Sequence, residues 1–296
     1  MNIKKLLPIG RKGDGQVLLS RSKWGNIGVF LFLFLICAFM ALPMVYAIIQ
    51  SIKPLDEIFI YPPRFFVRHP TLDNFRQVIQ LLSSLWVPFN RYIFNSGFVT
   101  IVGTILYMCV AAMAGYALGK GKFYGKGKFS VLVEWAMLFR AEVMAIPVYM
   151  IICGLGVVNS YWALIIPPLS GSMGVFLIRQ FTMVAIPDST LEAARIDGAS
   201  EYTIFYKIAL PSIKPALFTV MIFTFQAMWS SSGTSQYIYS ENLKDLPAAL
   251  STIAASGIAR AGAASAVSVI LMIPPIIVFL ISQSSVMETM THSGLK

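Results

Sequence analysis

Charged residues are scarce in this chain of 296 residues, where Asp, Glu, Lys and Arg together make up only 12%. A soluble domain normally carries about 25% of these residues, and a globule of this size needs them to cover its surface. Because 57% of the residues are hydrophobic, much of the protein surface must face lipid. This composition argues against a soluble enzyme, a secreted disulfide scaffold and a disordered protein.

Cysteine and histidine are rare, with three and two copies respectively. Cys37, Cys109 and Cys153 each lie in an apolar run without CxxC spacing. This pattern predicts small buried hydrophobic side chains rather than a disulfide framework or a metal site. His69 and His292 are far apart in the sequence, and no HExxH or GxSxG motif occurs. The sequence therefore predicts no catalytic residues, no metal and no cofactor.

A phosphate-binding loop is missing as well. The segment GKGKFYGKGKF, residues 119–129, is rich in Gly-Lys pairs, but a phosphate loop needs Ser or Thr directly after its Gly-Lys. Here Lys122 and Lys128 precede phenylalanine, and Lys126 precedes glycine. We interpret the segment as a basic anchor beside anionic lipid headgroups, and we do not expect this chain to bind ATP.

Six long apolar segments are present instead. A helix needs roughly 20 apolar residues to cross the hydrocarbon core of a bilayer. The first segment, residues 27–49, is too long for a signal peptide and has no small-residue cleavage pattern. The other five cover residues 93–118, 131–154, 161–181, 213–231 and 265–286. The predicted fold class is therefore all-α, a polytopic membrane protein with six transmembrane helices.

The distribution of basic residues predicts the orientation of these spans. With the N-terminus inside, 15 of the 23 basic residues lie in inner segments and seven in outer segments, while Arg140 falls within the third span. An excess of Lys and Arg marks the cytoplasmic side, so both termini are predicted to be cytoplasmic. The same clustering between apolar runs argues that the net charge of +10 serves membrane topology and not nucleic-acid binding.

Two outer segments are more than simple connectors. Residues 72–86 have helical spacing and predict a helix outside the bilayer. Residues 246–262 are apolar but too short to span. They predict either a segment that re-enters the bilayer while surrounded by protein or a simple surface helix.

The inner segment between spans four and five predicts a helix–turn–helix element. Ser189 followed by Glu192 has the spacing of a capping box, and Gly198 is suited to the positive φ of a residue just after a helix. Ser200 can cap a second helix, which Pro211 is expected to end. Ile204, Phe205 and Ile208 give that helix an apolar face. A water-facing connector has no need of exposed apolar residues, so we favour a docking element over a connector.

The spacing of this segment resembles the EAA signature of permease subunits in binding-protein-dependent ABC importers. The matching residues are Glu192-Ala193-Ala194, Gly198, Ile208 and Leu210-Pro211. Residues 72–126, the segments Ile146-Pro147-Val148-Tyr149 and Gly154-Leu155-Gly156, and the closing Ser293-Gly294-Leu295-Lys296 are similar to the maltose-type branch of that family.

This resemblance implies a permease that pairs with a second permease on two ATPase subunits and receives a sugar or oligosaccharide from an extracellular solute-binding protein. It implies that the ATPase contact is made by Glu192, Ala193, Ala194, Asp197 and Gly198. The implied organisation is a cytoplasmic tail over residues 1–26, a permease domain over 27–286 with its coupling loop at about 184–212, and a cytoplasmic tail over 287–296. A secondary transporter or a channel subunit for another small polar solute is the alternative.

A candidate substrate path follows from polar residues within the spans. Arg140 is predicted to lie roughly 15 Å into the bilayer, where a charge normally faces a watery path or a protein partner. We expect Arg140, Glu142, Gln226 and Trp229 to line the path, with an aromatic ring stacked on a sugar. The alternative for Arg140 and Glu142 is an interface that holds the two permeases together.

The predicted topology can be tested with reporter fusions. A reporter fused after Lys126 or near Gly198 should be cytoplasmic, and one fused near Arg68 or Lys244 should be external, because the basic segments remain inside. Labelling of a Gly198→Cys variant from outside intact cells would contradict the six-span arrangement.

Overall fold

The computed structural model describes residues 23–62, 64–83, 87–139, 141–231, 236–255 and 260–293, and this part of the chain contains helices and no strand. The helices follow one another in this order: α1 (Lys23–Ser51), α2 (Leu55–Ile58), α3 (Asp73–Ser83), α4 (Phe89–Lys120), α5 (Lys126–Ala136), α6 (Ala141–Gly154), α7 (Tyr161–Leu169), α8 (Ser172–Ala185), α9 (Asp188–Ile196), α10 (Glu201–Ile204), α11 (Leu210–Ser230), α12 (Leu246–Ala254) and α13 (Ala261–Ser293). A π-helical turn, Phe205–Ala209, joins α10 to α11, and a 3₁₀ turn, Glu241–Leu243, precedes α12. The all-α fold class is confirmed for the described residues.

Four helical segments are long and apolar enough to cross a membrane: α1, α4, α10 with α11, and α13. Helices α7 and α8 pass the same test together, with a bend of 42° between them. These five segments coincide with the first, second, fifth, sixth and fourth predicted spans. The last helix continues to Ser293, beyond the predicted boundary at residue 286.

The third predicted span, residues 131–154, is not one helix. It is divided between α5 and α6, of 11 and 14 residues, and the described residues therefore contain at most five candidate spans by length and composition. Helix α5 ends because the backbone N–H groups of residues 137, 138 and 139 bond to carbonyls three residues back. Such tight turns cannot be continued for long. The six-span count remains a prediction.

Helix α4 is the central element of the bundle. Three apolar clusters join α4 to its neighbours. The first contains residues of α3, α11, α12 and α13, and the second contains residues of α8, α9, α10 and α11. The third joins α4 to α7. Against α8 the approach is close, since a Cβ on Gly115 would lie 2.6 Å from Ile178 Cγ2 and 3.1 Å from the backbone nitrogen of Arg179. Small residues allow such contacts between membrane helices.

Helix α1 lies at the periphery of this bundle. Its residues 24–46 are exposed, and it packs against α13. The three cysteines, predicted to be buried, are exposed as well. That prediction was wrong because an apolar side chain on a surface facing hydrocarbon needs no burial in protein.

The two outer segments fold as helices against the bundle. Helix α3 confirms the predicted helix over Asp73–Ser83, while residues 84–86 of the predicted stretch lie outside the described residues. In the segment 246–262, α12 is capped by Asp245, whose carboxylate accepts a hydrogen bond from the Ala248 N–H at 3.0 Å. Six of its nine residues, Leu246, Pro247, Ala248, Ala249, Leu250 and Ile253, are buried, so a simple surface helix is the wrong alternative. Re-entry into the bilayer remains a prediction.

The close contact of α4 with α8 can be tested by adding one methyl group. Gly115→Ala should destabilise the purified protein, because overpacking against a backbone costs about 1–3 kcal/mol. Gly97→Ala on the same helix is the matched control, since a Cβ there meets nothing within 4 Å. Thermal unfolding in detergent should show a lower midpoint for Gly115→Ala alone, and equal midpoints for both variants would contradict the packing.

Candidate functional site

Helix α9 begins two residues earlier than the sequence suggested. Pro187, with φ −64° and ψ 141°, is the N-cap residue, and no side chain caps the helix. Ser189 therefore lies inside the first turn, so the predicted capping box with Glu192 is wrong. The amino end of α9 is held by another interaction, because Lys120 Nζ donates to Asp188 Oδ1 at 2.8 Å.

The turn after α9 has the predicted glycine in a left-handed conformation. Gly198 has φ +80°, its N–H bonds to the Arg195 carbonyl at 3.1 Å, and the Ala199 N–H bonds to the Ala194 carbonyl at 3.0 Å. These two bonds form a Schellman motif, which satisfies the last carbonyls of the helix. Any other residue would have to adopt this backbone at a cost of about 1–2 kcal/mol.

The second helix is also capped as predicted but does not stop where it was predicted to stop. Ser200 Oγ accepts a hydrogen bond from the Thr203 N–H at 3.3 Å. The chain then passes through the π-helical turn into α11, so Pro211 begins a long helix and does not end a short one. In that turn the Leu210 N–H bonds to the Phe205 carbonyl, and this wider winding accommodates the proline ring, which clashes with the carbonyl four residues back in a regular helix.

The two helices are attached to the bundle by buried apolar side chains. Leu191 from α9 and Ile204 from α10 have 2% and 0% of their surface exposed and lie in one cluster with residues of α4, α8 and α11. The prediction that Ile204 and Phe205 form an exposed apolar face was wrong, because both pack toward this cluster. The large side chains left exposed are Ile196, Tyr202 and Tyr206.

The five residues of the predicted ATPase contact lie on α9 and its turn. Glu192, Ala193, Asp197 and Gly198 are exposed, whereas Ala194 is half-buried against the apolar cluster. The two alanines therefore have different roles, since Ala194 packs against the cluster and Ala193 faces outward. Together with the exposed apolar residues of α9 and α10, they form a surface that we call the coupling surface: Glu192, Ala193, Ile196, Asp197, Gly198, Tyr202 and Tyr206.

Ion pairs connect α9 to the end of α4 and to the basic loop that follows it. Lys120, with only 10% of its side chain exposed, pairs with Asp188 at 2.8 Å, and Lys122 lies 4.0 Å from Glu192. The hydrogen bond from Lys120 lowers the pKa of Asp188, so the pair is charged at neutral pH and is lost only as pH falls through that lowered pKa. The sequence analysis interpreted these lysines as lipid anchors alone and missed this contact.

Of the four residues of the predicted substrate path, the structure describes the side chains of Gln226 and Trp229. Arg140 and the side chain of Glu142 lie outside the described residues. Gln226 is exposed and lines a groove of about 530 Å³ between α11 and α13. Trp229 is buried, with its ring stacked on Phe225 and its indole N–H donating to the Leu271 carbonyl at 2.9 Å. Its ring is therefore occupied by packing.

Comparison with known proteins identifies the family. Residues 108–290 match the family described as binding-protein-dependent transport system inner membrane component. The arabinooligosaccharides transport system permease protein AraQ of Halalkalibacterium halodurans is 30% identical over 271 residues, which cover 89% of this chain and 94% of that protein. The polygalacturonan/rhamnogalacturonan transport system permease protein YtcP of Bacillus subtilis is 29% identical, with 73% of each chain covered.

A solved structure has the same fold. It is a bacterial ABC transporter involved in the import of the acidic polysaccharide alginate, one chain of which superposes with a TM-score of 0.71 at 23% identity, covering 89% of this chain and 98% of that chain. The family assignment agrees with the resemblance carried by the EAA-like spacing around Gly198. This chain therefore belongs to the inner membrane components of binding-protein-dependent transport systems, and it is a membrane-embedded permease of an ABC importer, a transport component and not an enzyme.

Proposed function

We propose that this permease imports a sugar or oligosaccharide, driven by ATP that partner subunits hydrolyse. The observation that carries this proposal is the coupling surface, which is exposed on two helices that buried Leu191 and Ile204 anchor to the bundle. The carbohydrate class is supported by relatives named for arabinooligosaccharides and for polygalacturonan and rhamnogalacturonan. A secondary transporter or channel would leave this surface without a partner.

In the proposed assembly this chain pairs with a second, different permease, and the pair sits on two ATPase subunits. An extracellular solute-binding protein delivers the sugar. The ATPase contact involves Glu192, Ala193, Ala194, Asp197 and Gly198. Ala194 contributes indirectly, because it packs α9 onto the bundle. Movement of α9 with the ATPases then turns the spans between inward-facing and outward-facing states, which couples the two sites through one bistable assembly.

The proposed topology has six spans in the cell membrane, both termini in the cytoplasm and the coupling loop on the cytoplasmic side. The third span would consist of α5 and α6, whose combined length exceeds the roughly 20 residues that a bilayer requires. The basic loop after α4 and the Lys120–Asp188 pair would then lie beside the cytoplasmic headgroups, where lysines are favoured.

The substrate path through Arg140, Glu142, Gln226 and Trp229 stays a prediction with one refinement. The indole N–H of Trp229 donates to the Leu271 carbonyl. We therefore assign Trp229 a structural role, in which it joins α11 to α13 beside the path. A sugar would then stack on another aromatic ring.

The proposed function is tested by blocking the coupling surface. Ala193→Trp should abolish ATP-dependent sugar uptake by the complete importer, with at least about a tenfold loss for a docking penalty of about 1.4 kcal/mol, while membrane insertion persists because Ala193 is exposed. Gly198→Val should act similarly through backbone strain. Tyr239→Trp, at an exposed residue of another loop, is the control. Wild-type uptake in the Ala193→Trp variant, or uptake without ATP hydrolysis, would contradict the proposal.

The Lys120–Asp188 pair gives a second prediction about coupling. Asp188→Lys should lower the amount of sugar imported per ATP hydrolysed about twofold to fivefold, since exposed ion pairs make modest contributions. The double variant Lys120→Asp with Asp188→Lys should restore most of this ratio. Asp73→Lys, which breaks the exposed pair with Arg76 on α3, should leave the ratio unchanged. Failure of the double variant to recover would show that the pair does not position α9.

A further inference from the structure

The fourth span is broken near its middle, between α7 and α8. Pro167, Pro168, Ser170 and Gly171 surround the break, and the two helices are bent by 42°. With nine residues in α7, the break lies about 13 Å from the start of the span, which is close to the centre of a hydrocarbon core of about 30 Å. Irregular backbone at this depth is tolerated only where it is buried in protein or lines a water-filled cavity.

A tyrosine on α4 holds the break in place. The Tyr107 hydroxyl donates to the Gly171 carbonyl at 2.7 Å and accepts a hydrogen bond from the Gly174 N–H at 3.0 Å. A Cβ on Gly174 would lie 2.5 Å from this hydroxyl, so glycine is required for the contact. One buried hydroxyl thus satisfies a carbonyl and an N–H that bending the helix would otherwise leave without partners.

Two cavities open at this break. One of about 340 Å³ extends from Tyr107 toward α11, and one of about 690 Å³ extends toward α5, α6 and the loop after α11. They share Pro168, Gly171 and Ser231 in their linings, so they adjoin. The volume of each cavity is within the range of small-ligand sites.

The larger cavity is lined by groups suited to a carbohydrate. Its polar side chains are the hydroxyls of Ser170, Ser172 and Ser231, the amide of Gln236 and the phenol of Tyr237. The Tyr237 ring lies nearly parallel to the Tyr149 ring, with centroids 6.2 Å apart, and forms an aromatic wall. Lipid chains cannot hydrogen-bond to the Gln236 amide, whereas sugar hydroxyls both donate and accept.

The aromatic wall is rigidly positioned. The Tyr237 carbonyl accepts a hydrogen bond from the Asn159 N–H at 2.9 Å. The Asn159 side chain also bonds to Ser240, accepting from its N–H at 2.9 Å and donating to its hydroxyl at 2.8 Å. The loop that carries Gln236 and Tyr237 is thereby tied to the turn between α6 and α7, and a fixed ring loses little conformational entropy on binding.

We propose that the two adjoining cavities at the α7–α8 break form a carbohydrate-binding half-site of this permease. Ser170, Ser172, Ser231 and Gln236 bond the sugar hydroxyls, Tyr237 stacks on a sugar ring, and Tyr107 is the positioning residue that keeps the break open. The inference rests on the proposed function and locates its substrate contact at residues that the sequence analysis did not select.

The half-site is tested by thiol accessibility in the complete importer. In a background where Cys37, Cys109 and Cys153 are replaced by alanine, Ser231→Cys should react at least about tenfold faster with a charged methanethiosulfonate reagent than Phe34→Cys. Phe34 is the control because it is an exposed apolar residue of α1. The imported oligosaccharide should slow the reaction of Ser231→Cys, and reaction should block uptake.

The outcomes separate the half-site from the function. If the importer takes up sugar but Ser231→Cys reacts no faster than Phe34→Cys, or reacts without protection by sugar, the half-site is wrong and the function stands. If the unmodified importer transports no carbohydrate, the proposed function fails first. Adding Tyr107→Phe to the Ser231→Cys variant should change its labelling rate, and an unchanged rate would overturn the positioning role.

The aromatic wall has its own test. Tyr237→Leu should raise the KM for uptake about threefold to tenfold, as expected for loss of one aromatic stacking contact, without changing the affinity of the solute-binding protein for the sugar. Tyr239→Leu, two residues away at an exposed position, should leave the KM unchanged. Equal effects of the two variants would overturn the stacking role.

Discussion

The contact between α4 and α8 is the constraint on which the rest of this structure depends. Gly115 allows the two helices to approach so closely that a Cβ there would lie 2.6 Å from Ile178 Cγ2, and Tyr107, two turns earlier on α4, bonds to the break before α8. The carboxyl end of the same helix carries Lys120, which holds the amino end of α9. One helix therefore positions both the break in the fourth span and the coupling surface.

This arrangement gives a physical route from the coupling surface to the interior of the bundle. Leu191 and Ile204 share an apolar cluster with Tyr107 and Ile178, so α9 and α10 are packed against the same elements that frame the α7–α8 break. Closely packed interiors transmit displacement instead of absorbing it. A movement imposed on α9 would thus reach the break through direct side-chain contacts.

The wrong expectations about side-chain exposure share one cause. Ile204 and Phe205 were expected to be exposed, and the cysteines to be buried. Each of these expectations assigned a direction to a side chain from its chemical type. In a membrane protein apolar residues face lipid as readily as they face the core, so the chemical type of an apolar residue does not indicate which way it points.

Local signals in the sequence determined much of this protein. Apolar runs of spanning length gave the all-α fold class, and the spacing around Gly198 and Ser200 gave the turn between α9 and α10, because capping depends on residues three to five positions apart. The bend between α7 and α8, the division of the third span, and the contacts of Lys120 with Asp188 and of Tyr107 with Gly171 and Gly174 were decided by the tertiary structure. These contacts join residues more than 60 positions apart, and only the packing of α4 against α8 and α9 brings them within bonding distance.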